Sequence, residues 1–268
     1  MEKHTVSASL TDNTKYMNRA LPVKKSFDII ERTLIIGGQN SAFYFIDGFT
    51  KDEIMLKLMD SFLNISADDM PEDATSFSTS CIPYVEVDIL GDFDSIFKNL
   101  LSGVTCLFID GYEAAIAIDC RTYPSRSIEE PDKDKSLRGS RDGFVETIVF
   151  NTALMRRRIR DPHLIMEMYE AGTSTRTDVA LCYMSDRVDR ELLTTIQNKL
   201  EESKSQDLKM SQQSLAEALF QRKWYNPFPK YKFTERPDTA CACLMEGKVI
   251  ILTDTSPSAL ILQPPSLI

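Results

Sequence analysis

Four arginines crowd the end of one amphipathic segment: Arg156, Arg157, Arg158 and Arg160, closed by Asp161-Pro162. Guanidinium groups at this density bind anions, whether carboxylates of the same chain, acidic partners or phosphate headgroups. Three consecutive helical residues point about 100° apart, so Arg156, Arg157 and Arg158 cannot share one face. At least one is expected to pair with an internal carboxylate, with Asp142, Glu235 and Asp238 as candidates. The others would form a basic edge. A second concentration of chemistry is Thr234-Glu-Arg-Pro-Asp238. Thr234 suits a helix cap and Pro237 the first turn, while Glu235 and Asp238 place anions at the positive helix end. The same carboxylates beside Arg236 could instead contact an amine-bearing ligand.

Catalytic patterns are missing. The chain has no Gly-x-Ser-x-Gly elbow, P-loop or Gly-x-Gly-x-x-Gly stretch. Ser140 stands beside Arg141-Asp142 with no histidine near it in sequence, and His163 reads as a first-turn residue of a helix. Six cysteines are scattered, mostly inside apolar segments, and read as buried thiols of a reducing compartment. The spacing of Cys241-Ala-Cys243 fits neither a CxxC redox pair nor a zinc knuckle. No enzyme activity, metal or cofactor is implied. The net charge of −9 argues against a nucleic-acid surface. Locally the balance reverses, with six arginines from Arg138 to Arg160 against Asp142 and Glu146.

The arginines must be positioned by a helix over 144–160. Phe144, Ile148, Met155 and Ile159 form its buried stripe. Asp142 is expected to cap it, and Glu146 to complement its dipole. Upstream, Thr33–Ile36 and Phe43–Ile46 read as strands joined at Gly37-Gly38, with a helix over Lys51–Leu63 capped by Thr50. A strand at Tyr84–Asp88, a helix over Asp92–Leu101 and strands at Val104–Asp110 and Ala114–Asp119 complete a first unit. The second unit adds a short helix over 163–170, a strand at Asp178–Met184 and helices over Asp189–Glu201, Ser214–Gln221 and Arg236–Glu246. Strands at Lys248–Leu252 and Ala259–Leu262 end it, and Trp224–Pro229 reads as an aromatic turn that closes it. The fold class is α/β, with two subdomains carrying small mixed sheets. The expected organisation is a loose tail over 1–24, a first subdomain over 25–121, a charged, Pro-containing linker over 122–142 and a second subdomain over 143–262. No internal repeat stands out.

Several of these segments together resemble the GerA family of spore germination proteins, A-subunit type. The residues are Arg121-Thr-Tyr-Pro-Ser-Arg126, Glu130-Pro-Asp132, Arg138-Gly-Ser-Arg-Asp-Gly143, the arginine helix, Thr234–Asp238, Leu244-Met-Glu-Gly247 and Thr253-Asp-Thr-Ser-Pro257. Gly139–Gly143 and Asp254–Ser258 are most similar to the stage V sporulation AF branch. The resemblance implies a membrane protein of the spore inner membrane, whose N-terminal portion faces the cytosol and whose 263–268 segment leads into a membrane region. It implies assembly with other germination-receptor subunits or with itself, and a part in gating ion release. The family-signature residues are then Arg138, Arg141, Asp142, Glu146, Arg156, Arg157, Arg158, Arg160, Glu235, Arg236 and Asp238. The alternative reading is a module that binds a small-molecule germinant in a cleft between the subdomains.

Overall fold

The computed structural model describes residues 4–50, 52–123, 142–204, 211–219 and 231–262. The chain divides into two compact units, Met1–Pro124 with Arg160–Pro162, and Ser125–Ile159 with His163–Ile268. The first unit runs α1 (Leu10–Ala20), β1 (Ile29–Ile36), β2 (Gln39–Ile46), α2 (Asp52–Leu63), α3 (Ala74–Ser80), β3 (Val87–Leu90), α4 (Phe93–Leu101), β4 (Thr105–Ile109) and β5 (Ala115–Ile118). The second runs α5 (Ile148–Arg158), β6 (Leu164–Ala171), β7 (Thr177–Met184), α6 (Arg190–Ser203), α7 (Ser211–Leu219), β8 (Tyr231–Thr234), α8 (Pro237–Met245), β9 (Val249–Thr253) and β10 (Ala259–Leu262).

Local chemistry explains the elements. Gly37 and Gly38 both take positive φ, 52° and 79°, as a two-residue hairpin turn requires. Asp92 caps α4 by accepting from the Ser95 amide at 2.9 Å, and Ile96 and Leu100 turn inward from that helix. All residues of β4, β5, β9 and β10 are buried, which makes these the central strands. One apolar layer packs α2 and α3 on the first sheet through Phe43, Leu58, Phe62 and Phe77. Its counterpart packs α6 and α7 on the second through Leu181, Ile196, Leu200 and Leu215.

The two sheets have one topology. Their orders are β1-β2-β4-β5-β3 and β6-β7-β9-β10-β8. From β3 onward each equivalent residue lies 144 positions later: Val87 and Tyr231, Thr105 and Val249, Ala115 and Ala259. Hydrogen bonds repeat as well. The Val6 amide donates to Gly91 O at 3.0 Å, and the Phe144 amide to Glu235 O at 2.9 Å. Asn13 closes a two-way bond with the Ser7 backbone, as Asn151 does with Val145. The chain carries a structural duplication: its two units share one frame.

Several expectations are corrected. The N-terminal segment is not a loose tail. Ser9 caps α1, and Val6, Met17 and Leu21 are buried. Met17 and Leu21 share one face at four-residue spacing, but the third member of that row, Asn13, is polar, so the apolar stripe is faint in the sequence. Residues 164–171 form the strand β6, not a helix. Met and Glu favour a helix locally, but pairing along the whole of β7 overrides that preference. The sheets are antiparallel throughout, not mixed, and half of the neighbouring pairs are joined by short hairpins. Thr50 does not act as a cap for α2; it bridges Arg121. Linker residues 124–141, among them Arg138 and Arg141, lie outside the described residues, as do Trp224–Pro229 and 263–268.

Candidate functional site

The start of α5 is held from a distance. Thr147 occupies the cap position without a side-chain cap bond. Asp254, at the end of the β9 segment, accepts from the Ile148 amide at 3.1 Å. The Thr255 amide donates to Glu146 O at 2.7 Å. In the first unit Asp110 does the same for Leu10 at 2.8 Å, and the Gly111 amide reaches Ala8 O. Thr255 holds φ 64° where its counterpart is a glycine at 92°. This position favours glycine, so the threonine is kept there by its neighbours. Ser256 and Ser258 are tied to Gln212 of α7, whose amide also donates to Ser258 O at 2.8 Å. Asp254, Asn151 and Gln212 are the positioning residues that sequence reading missed. The Asp254–Ser258 motif marked the right place without showing its partners.

Asp142 is therefore not the cap. Its carboxylate accepts from Arg158 Nη2 at 2.6 Å. Arg158 also donates to Leu154 O at 3.1 Å, one helical turn back. Arg236 makes a two-point pair with Asp238, through Nε at 3.0 Å and Nη2 at 2.5 Å. The Arg236 hydrogen bonds, with the charge of Arg158 added, hold the Asp238 carboxyl below its usual range. Arg158 thus lies within electrostatic reach of carboxylates from both signature segments. Thr234 is not the α8 cap either; its hydroxyl accepts from the Arg236 amide at 3.2 Å. Glu235 contributes its carbonyl to the Phe144 amide. Burial pushes the Cys241 thiol, which lies against Met155 O, up to about 12.

The four arginines separate. Arg156 has no exposed surface, and its Nη2 donates to Leu164 O at 2.9 Å. Arg158 is mostly covered, with 21% of its side chain exposed. Arg157 and Arg160 are exposed, as is Glu146. The expected single stripe on this helix is broader in fact, since Asn151, Thr152, Ala153 and Leu154 are buried beside Ile148 and Met155. In the first unit Arg121 of the Arg121–Arg126 segment forms a similar lock. It pairs with Asp119 and reaches Ser102 Oγ at 3.0 Å, while Tyr123 donates to Ser102 O at 2.9 Å. The arrangement holds helix ends to strand ends, with Arg157 and Arg160 on the exposed surface and Arg160 Nη2 3.5 Å from the Tyr123 hydroxyl. Among the described residues no three His, Cys, Asp or Glu side chains gather as for a metal. Among them, too, no helix is long and apolar enough to cross a membrane.

These assignments make a paired prediction. Asp254→Ala should lower stability by about 1 kcal/mol through the lost cap. Asp142→Ala should cost well under about 1 kcal/mol, because its side chain is 46% exposed and the ion pair is screened. Thermal melts of the two variants check the order; the reverse order would return the cap to Asp142.

Residues 15–267 match the family model described as Bacillus/Clostridium GerA spore germination protein. The chain is 34% identical to stage V sporulation protein AF of Bacillus subtilis (strain 168), over 97% of this chain and 53% of that protein. It is 29% identical to spore germination protein KA of the same organism, over 96% of this chain and 47% of that protein. It thus spans about half the length of these relatives. The fold matches the crystal structure of the N-terminal domain of the A subunit of the Bacillus megaterium spore germinant receptor GerK3. The TM-score is 0.70 at 22% identity, covering 100% of this chain and 99% of that one. The chain belongs to the GerA family of spore germination proteins.

Proposed function

We propose that this chain is an assembly and gating module of a germination complex at the spore inner membrane, and not an enzyme. In this reading its partners are germination-receptor subunits, met through Arg157 and Arg160. The observation that carries it is the division among the signature arginines. Arg156 and Arg158 are spent on the fold, while Arg157 and Arg160 stand exposed within a few residues of them. An exposed guanidinium group on an acidic chain gives a local positive field that an acidic partner surface or anionic headgroups would complement. The names of the relatives support the setting, since they are sporulation and germination proteins.

The test compares wild type with the Arg157→Glu/Arg160→Glu pair. The whole protein is co-purified with receptor subunits from sporulating cells, and the 268-residue chain is floated with anionic liposomes. We expect at least a tenfold loss of co-purifying subunits. A parallel loss of flotation would assign the charges to headgroups. Full assembly and unchanged flotation would overturn the surface.

A further inference from the structure

The duplication supplies an internal control for which polar groups the fold requires. Within the first unit, Glu31 of β1 faces Tyr44 of β2 as a cross-strand pair. The Tyr44 hydroxyl donates to Glu31 at 2.8 Å, and Asn18 of α1 donates to the other carboxylate oxygen at 3.1 Å. Tyr44 has no exposed surface. The corresponding cross-strand pair in the second unit is Met166 with Cys182, both fully buried. The same sheet position is therefore filled by a methionine and a cysteine in one half and by a carboxylate and a phenol in the other. Burying polar groups costs free energy that apolar packing avoids. The fold therefore does not need the carboxylate and the phenol; the place of Asn18 is taken in the second unit by the buried Arg156.

Beside Glu31 lies a cavity of about 430 Å³ between α1 and the edge of β1, a size suited to a small molecule. Its acidic lining is Glu31 and Asp110, and Thr11, Thr14 and Ser41 add hydroxyls. Exposed Thr33 and Ile35 form its rim. The lining includes no lysine or arginine, so a ligand's own carboxylate would find no counter-charge there. Apolar surface from Leu10 and Ile35 suits methylene groups. Glu31 is fixed by two donors and retains lone pairs for a third.

We propose that this cavity binds a small organic cation carrying a primary ammonium group, with Glu31 as its counter-ion. The site lies within the first unit and does not rest on the assembly reading above.

The test is calorimetric titration of the 268-residue chain with putrescine at fixed ionic strength, with 1,4-butanediol as the uncharged control. We expect saturable binding of putrescine and none of the diol. Glu31→Gln should weaken Kd at least tenfold, while Asp60→Asn, an exposed carboxylate on α2, should leave it unchanged. If Glu31→Gln does not fold, Thr33→Lys on the exposed rim places a fixed cation at the mouth and should produce the same loss. Absence of saturable heat with putrescine would overturn the site. So would wild-type affinity in the folded Glu31 or Thr33 variant.

Discussion

Arg156→Ala should cost about 3–5 kcal/mol, the largest loss of any single change on the signature helix. Arg156 is the largest fully buried side chain among the described residues, and its guanidinium donates to the first carbonyl of β6. Truncation opens a cavity under α5 and strips a buried carbonyl of its donor. Arg156→Met refills most of the volume without the donor, so it should recover part of the loss and leave a deficit of about 1–3 kcal/mol. Urea unfolding of the three chains measures this series. Equal stability of Arg156→Ala and wild type would mean that the guanidinium is not built into the core.

Gly247→Ala should come next, at about 2–5 kcal/mol. Gly247 ends α8 with φ 84°, a conformation that costs an L side chain. A Cβ there would sit 2.7 Å from the carbonyl oxygen of Arg187, a backbone atom that cannot rotate aside. Its counterpart Gly103, at φ 101°, ends α4 in the same way against the ring of Phe49. A denaturation midpoint within experimental error of wild type for Gly247→Ala would contradict this account of the turn.

The sequence showed most of the regular elements where periodicity or turn chemistry was strong. The Gly37-Gly38 hairpin, the helices opening at Asp92 and Asp189 and the apolar β4, β7 and β9 runs could all be read locally. It failed where partners distant in sequence decide. Residues 164–171 have helix-forming side chains and became a strand because β7 pairs with them. The cap of α5 comes from a residue 106 positions away, so the nearest aspartate, Asp142, was the natural but wrong choice. The duplication was invisible for a related reason. What repeats is backbone geometry and a few polar ties, such as Asn13 with Asn151 and Asp110 with Asp254, and not the apolar side chains between them. The arginine cluster was legible as a cluster. Its partition was not, because burial of Arg156 depends on β6 lying beneath it.

The signature arginines divide into a pair held by the fold, Arg156 and Arg158, and an exposed pair, Arg157 and Arg160. The most direct test is the thermal unfolding midpoint of the Arg157→Glu/Arg160→Glu chain. Both side chains are exposed, and exposed substitutions usually shift stability by no more than about 0.5 kcal/mol. The account predicts a midpoint within a few degrees of wild type, beside a far larger fall for Arg156→Ala. A fall in the double variant comparable to that of Arg156→Ala would contradict it, and would place all four arginines in the frame of the fold.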